Sequence, residues 1–259
     1  MEYLPPALTA LANAPECAAV ISDFDGTLAP IVDDPTTAVV EPQVPDALEL
    51  IAARYAVAAV VSGRSAHDVA ARIGVPGVVY VGVYGLETLL DGAYAVDARA
   101  EQFAPAVTAA AEAAERELPG LWVERKGQVS VAVHWRRYPD RADEALEVAR
   151  ELAALHGLAL VSGRRVAELM VPVPVDKGTA VESIIATVQH ASFAGDDHGD
   201  LAAMRALTRA RGNGQLDTTT TIAVRSAEEP PELADEADLH LGSPREYAAL
   251  LRALADWST

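Results

Sequence analysis

The chain is poor in cysteine, in aromatic residues and in positive charge. Cys17 is the one cysteine among 259 residues, so no disulfide can form within the chain. That fits a reducing, cytoplasmic setting. Phe, Trp and Tyr make up 5% of the residues, against 51% that are hydrophobic. The core must therefore be built from aliphatic side chains, chiefly Ala and Val. Lys and Arg number 20 and Asp and Glu 38, a formal net charge of −18. A surface this acidic repels nucleic-acid phosphates and anionic membranes. Any site for an anion must then carry its own local cation. No stretch has the roughly 18 apolar residues that a membrane helix needs. Residues 1–6 show no basic flank followed by a long apolar run, so no signal peptide is expected there. A monomer is expected, with no nucleic acid and no membrane as partner.

Short apolar runs are what the chain has in quantity. Residues 18–22, 57–61 and 78–83 read as buried strands, with helices at 45–55 and 65–73 between them. This rhythm points to βαβ units and a parallel sheet. The pattern changes after about residue 92. A helix at 104–118, one or two strands over 122–135, a helix at 140–156 and a hairpin over 158–171, turning at Ser162-Gly163, form a separate α+β module. The earlier rhythm returns at Lys177 with a helix at 178–189, a strand at 192–194, a helix at 198–207, a strand at 220–224 and a closing helix at 244–257. Residues 211–214 and the threonines after them read as a surface connection. The expected fold is α/β. A doubly wound, Rossmann-like parallel-sheet core of residues 1–91 and 173–259 carries an inserted module of residues 92–172.

The chemistry-bearing residues fall at strand ends. Asp23 and Asp25 close the first apolar run, with Phe24 between them and Gly26-Thr27 after them. Alternation places both carboxylates on one side of the strand. Two carboxylates there repel each other unless a cation lies between them. Ser62 ends the second run and Gly63-Arg64 follow it, where a hydroxyl and the backbone N–H groups of a helix start could hold a phosphate; an ordinary helix cap is the alternative. Lys177 precedes a helix and could equally be a surface lysine. Asp196, Asp197 and Asp200 lie within five residues after a short strand. They could bind a hard cation or cap a helix. An all-oxygen set favours magnesium over zinc.

Taken in order, these segments resemble the haloacid dehalogenase superfamily of phosphatases over nearly the whole chain. The resemblance implies that Asp23 is the nucleophile and that Asp25 protonates the leaving alcohol and later activates water. Thr27, Ser62, Gly63 and Arg64 would bind the phosphoryl group, and Lys177 would neutralise charge on it and on Asp23. Mg²⁺ would be held or oriented by Asp196, Asp197 and Asp200, with Asp23 and the Asp25 backbone carbonyl as further ligands. The inserted module would be a cap that selects the substrate.

Further matches resemble the trehalose-6-phosphate phosphatases. They are Lys126-Gly127, His134-Trp135-Arg136, Glu168-Leu169 before Lys177-Gly178, and Gly82-Val83-Tyr84-Gly85-Leu86-Glu87. The resemblance implies that Glu87, Lys126, His134, Arg136 and Glu168 contact a small-molecule sugar phosphate. Tyr84 stands where that family has histidine, Met170 where arginine is common, and His198-Gly199-Asp200-Leu201-Ala202 departs from its usual acidic run. Another phosphorylated disaccharide or pseudo-disaccharide is the alternative substrate. A sugar phosphomutase and a non-catalytic sugar-binding module are the alternative functions.

Overall fold

The computed structural model describes residues 4–163, 165–226 and 230–257. It divides into two compact units, Met1–Ala95 with Val175–Thr259, and Val96–Pro174. The longer elements begin with β1 (Ala18–Ser22), α1 (Val44–Arg54), β2 (Val57–Val61), α2 (Ala66–Ile73), β3 (Val78–Gly82), β4 (Glu87–Leu90) and β5 (Ala93–Val96). Then come α3 (Ala104–Glu117), β6 (Trp122–Lys126), β7 (Ser130–His134), α4 (Ala142–His156), β8 (Ala159–Gly163) and β9 (Val166–Met170). The chain closes with α5 (Lys177–Ile184), β10 (His190–Gly195), α6 (Asp200–Gly212), β11 (Thr218–Val224), β12 (Leu239–Leu241) and α7 (Pro244–Ala255).

Alternation in the apolar strands sets the layers of the first unit. Val20, Ala58 and Val60 join one apolar cluster with Leu48 and Ile51 of α1, Val69 of α2 and Leu251 of α7. Ala19, Ile21, Ala59 and Val61 join the opposite cluster with Val181 of α5 and Leu201, Met204 and Leu207 of α6. A sheet buried on both faces needs such near-continuous apolar strands. The strand order is β12-β11-β10-β1-β2-β3-β4-β5. It is parallel from β12 through β3.

Two local readings change, and a third is settled between its alternatives. β4 pairs antiparallel with β3, so the sheet is mixed. The turn between β4 and β5 is Asp91-Gly92, with φ of 48° and 83°. That is the Asp-Gly pair favoured in two-residue hairpins, because both positions need positive φ. Thr218 to Thr221 belong to β11 rather than to a surface connection, and Thr220 and Thr221 are buried. Their β-branched side chains suit a pleated surface. The run 122–135 is two strands, β6 and β7, joined by a turn at residues 127–129.

In the second unit the sheet order is β6-β7-β9-β8, all antiparallel. β8 runs through Ser162 and Gly163, so the turn comes later than the sequence suggests; Arg164 lies outside the described residues. Helices α3 and α4 bury alanine-rich stripes, including Ala110, Ala114, Ala145 and Ala149. Among the described residues no helix is long and apolar enough to cross a membrane.

Candidate active site

β1 has β2 on one side and β10 on the other. The chain runs outward from β1 through β2 and β3 and from β10 through β11 and β12, and ligands of open α/β sheets bind at such a switch point beyond the carboxyl ends of the strands. Asp23 follows β1, and its N–H donates to the Ala194 carbonyl at 2.8 Å, carrying the β1–β10 pairing one residue further. Asp196 follows β10. By alternation Asp23 shares the face of Ile21, the side of α5 and α6, while Phe24 joins the opposite cluster. Gly26 turns the chain with φ of 82°, and a Cβ there would lie 2.0 Å from Asp196 Oδ2. Only glycine allows both the conformation and that approach.

Lys177 is positioned by the first turn of α5. Asp176 caps that helix reciprocally with Thr179: its side chain accepts the Thr179 N–H at 2.8 Å, and the Thr179 hydroxyl accepts the Asp176 N–H at 3.1 Å. Such a box satisfies two otherwise unpaired donors. The buried Lys177 ammonium then donates to Asp23 Oδ1 and to Asp200 Oδ1, both at 2.7 Å. Asp23 Oδ2 has a weak 3.4 Å contact from the Thr27 hydroxyl. Asp200 Oδ2 accepts the N–H groups of Asp196 at 2.9 Å and Asp197 at 3.1 Å. Asp200 thus fixes the loop after β10.

These charges are out of balance. Burial pushes the Asp23 carboxyl well above its ordinary range, and Asp200 adds to the push while Lys177 opposes it. Burial works against the Lys177 charge, but Asp200 and Asp23 outweigh it and hold its pKa above the usual value. Asp196 is pushed up to about 7, chiefly by burial, with Asp200 and Asp197 adding to the push and Ser226 and Lys177 opposing it. Ser226 is near enough to draw this pKa down. Even so, neither Asp196 oxygen makes a hydrogen bond of normal geometry, and the buried Asp197 Oδ1 also lacks one. Oxygens of Asp23, Asp196 and Asp200 lie within 4.8 Å of one another. A buried carboxylate without donors is stabilised by a proton or by a cation. The all-oxygen donor set fits a hard ion such as Mg²⁺.

Ser62 stands buried at the end of β2, and its Oγ accepts the Arg64 N–H at 3.2 Å. The helix cap of α2 is Ser65, which accepts the Asp68 N–H at 3.2 Å, so Ser62 is not that cap. Arg64 grips both oxygens of Asp25, Nε at 2.6 Å and Nη2 at 2.7 Å. Its Nη1 donates to Asp68 at 2.9 Å and Nη2 also to the Pro35 carbonyl at 2.9 Å. The donors of Arg64 are thus engaged within the protein, and it orients Asp25.

A family model described as Trehalose-phosphatase matches residues 21–239. The chain belongs to the trehalose-phosphatase family. Trehalose-phosphate phosphatase of Mycobacterium tuberculosis is 38% identical over 203 residues, covering 75% of this chain and 51% of that protein. The protein of the same name from Mycobacterium avium is 34% identical over 270 residues, covering 92% of this chain and 68% of that one. The chain spans about half the length of the first of these relatives. Among solved structures, a trehalose-6-phosphate phosphatase related protein superposes with a TM-score of 0.76 at 22% identity, covering 92% of this chain and 96% of that one. The C-terminal domain of Candida albicans trehalose-6-phosphate phosphatase gives 0.72 at 21%, covering 99% of each. At these identities the structural likeness is one of fold.

The remaining trehalose-phosphatase positions fall into two groups. In the second unit, pairing puts Trp122, Glu124 and Lys126 of β6 on one face with Ser130 and His134 of β7 and Glu168 of β9. Lys126 pairs with Glu168 at 3.0 Å, Ser130 donates to Glu168, and His134 meets Glu124 at 2.9 Å while stacking on Trp122. Arg136 lies in the turn after β7, half-buried. In the first unit, Glu87 is buried, accepting the Ala66 N–H at 2.8 Å and the Tyr94 hydroxyl at 3.1 Å. It braces the N-terminus of α2. The sequence reading missed the parts of Asp68, Asp176 and Thr179; Asp176 with Thr179, and Ser65 with Asp68, carry a local signal, the spacing of a capped helix start. It also took no account of the backbone at Val83 and Tyr84, where φ is 45° and 59°. Left-handed backbone costs about 1–2 kcal/mol at a non-glycine residue.

Proposed function

We propose that this chain is a Mg²⁺-dependent phosphatase that hydrolyses trehalose 6-phosphate to trehalose and phosphate through a phosphoaspartate on Asp23. The observation that carries this reading is the buried Asp23–Lys177–Asp200 chain of ion pairs beside the unpartnered oxygens of Asp196. Asp23, Asp196 and the Asp25 carbonyl would hold the ion, with Asp197 beside them and Asp200 orienting the loop. Once bound, the ion supplies Lewis-acid neutralisation of the phosphoryl charge.

The protein groups perform the rest. Lys177 fixes Asp23 Oδ1 and offsets repulsion between the carboxylate and the phosphate dianion. Thr27, Ser62 and the N–H groups of Gly63 and Arg64 bind phosphoryl oxygens. Asp23 attacks phosphorus, the bond from phosphorus to the sugar oxygen breaks, and Asp25 gives its proton to the leaving alkoxide. Asp25 then takes a proton from water, which attacks phosphorus and releases Asp23 and inorganic phosphate. For this, the leaving oxygen replaces Arg64 as the partner of Asp25. The polar residues of β6, β7 and β9 select the disaccharide.

A panel of trehalose 6-phosphate, sucrose 6-phosphate and hexose phosphates tests the reading. Phosphate release that requires Mg²⁺ and prefers trehalose 6-phosphate is expected. Preference for a hexose phosphate would overturn the substrate, and full activity of Asp23→Asn would overturn the nucleophile.

A further inference from the structure

The turn after β3 is strained, yet it is tied to both neighbours that carry the chemistry. Val83 and Tyr84 both hold left-handed backbone, with φ of 45° and 59°. The Val83 N–H donates to the Arg64 carbonyl at 2.8 Å, and the Tyr84 N–H donates to the Ser62 carbonyl at 3.0 Å. On its other side the turn meets α5, which begins with Lys177: a Cβ on Gly85 would lie 3.4 Å from Ala180 Cβ. The turn is therefore clamped between the Ser62 loop and the lysine helix. Strain of this kind persists only where surrounding structure enforces it, and it collects at functional sites.

What the clamp holds in place is the Tyr84 ring. A Cβ on Gly63 would fall 2.7 Å from the Tyr84 hydroxyl oxygen and 2.8 Å from Cζ, so the phenol lies against the Gly63 backbone. Ser62 is buried and Tyr84 is half-buried. The phenol thus lies beside the backbone that follows Ser62 and is more exposed than Ser62. An ester with its phosphoryl group on Ser62 and Gly63 would meet this ring if its alcohol portion extends toward solvent. A neutral hydroxyl, which both donates and accepts, suits a sugar hydroxyl.

We infer that Tyr84 is a specificity-determining residue that reads the carbohydrate side of the phosphate ester at the rim of the Ser62–Gly63 loop. This rests on the phosphatase reading above. Gly63 lacks a side chain to admit the ring, and the strained turn sets the height of the hydroxyl.

The test compares trehalose 6-phosphate with p-nitrophenyl phosphate, whose leaving group has no sugar hydroxyls, in wild type, Tyr84→Phe and Tyr84→His. Losing one neutral hydrogen bond should lower the ratio of kcat/KM between the two esters roughly three- to tenfold in Tyr84→Phe, mostly through KM. Tyr84→His, which keeps a donor, should recover part of it. An unchanged ratio in Tyr84→Phe, or an equal loss on both esters, would overturn the inference. If the wild type hydrolyses p-nitrophenyl phosphate but not trehalose 6-phosphate, the substrate reading fails. The ratio is then taken with the preferred sugar phosphate of the panel and judges Tyr84 by the same criterion.

Discussion

Two polar clusters, one half-buried and one buried, are satisfied in opposite ways. On the sheet of the second unit Lys126 pairs with Glu168, Ser130 with Glu168 and His134 with Glu124. Beyond β1 and β10, one ammonium serves two carboxylates while Asp196 keeps both oxygens without a hydrogen-bond partner. The first cluster is balanced by the protein alone. The second needs a proton or a cation on Asp196 to balance it. Unequal satisfaction of polar groups thus separates a cluster that could take up a metal ion from one whose members hold one another.

The sharpest way to break this contrast is to remove one member from each side. Asp23→Asn should lower kcat by about 10³-fold or more, since no other group replaces an attacking carboxylate. Asp196→Asn should lower Mg²⁺-dependent turnover by about 10²-fold, the scale of a disturbed metal site. Lys126→Met should instead raise KM for trehalose 6-phosphate about tenfold and leave kcat within about threefold. A fall in kcat as large as that of Asp196→Asn would erase the distinction between the clusters.

A smaller effect reports on charge balance without turnover. Asp196 has a pKa of about 7 in the folded chain against an ordinary 3.8. Between those values the folded state binds a proton that the unfolded state lacks, so metal-free stability falls as pH rises through this window. At pH 8 without metal, Asp196→Asn should therefore be more stable than wild type by about 1–3 kcal/mol. At that pH Mg²⁺ should raise the wild-type Tm and the variant's far less. Below pH 4 the advantage of the variant should vanish. Thermal melts with and without Mg²⁺ read this directly, and a variant less stable than wild type at pH 8 would show that Asp196 is already satisfied.

The sequence carries the site better than it carries the partnerships. Asp23, Ser62 and Asp196 end apolar runs, so their place at strand ends follows from hydrophobic pattern alone. The Asp91-Gly92 pair is a legible turn signal, but its strands are not, because residues 87–96 mix polar and apolar types and three of the four residues of β5 are exposed. Thr218 to Thr221 read as polar, although β-branching suits them to a strand. Pairings across long separations left no local trace. Arg64 meets Asp25 across 39 positions, and Glu87 meets Ala66 across 21. A charged residue near a motif gives no sign of such a distant internal partner. The left-handed pair Val83-Tyr84 was illegible for a related reason: tertiary clamps, not local preference, impose it.

Trapping the covalent intermediate tests the central claim most directly. The chain is mixed with trehalose 6-phosphate and Mg²⁺, quenched within the first turnover and reduced with borohydride, which converts an acyl phosphate to the alcohol. Peptide mass spectrometry should find homoserine at position 23 and at no other aspartate. Phosphate release with no modification at Asp23, or with the label on another carboxylate, would contradict the account.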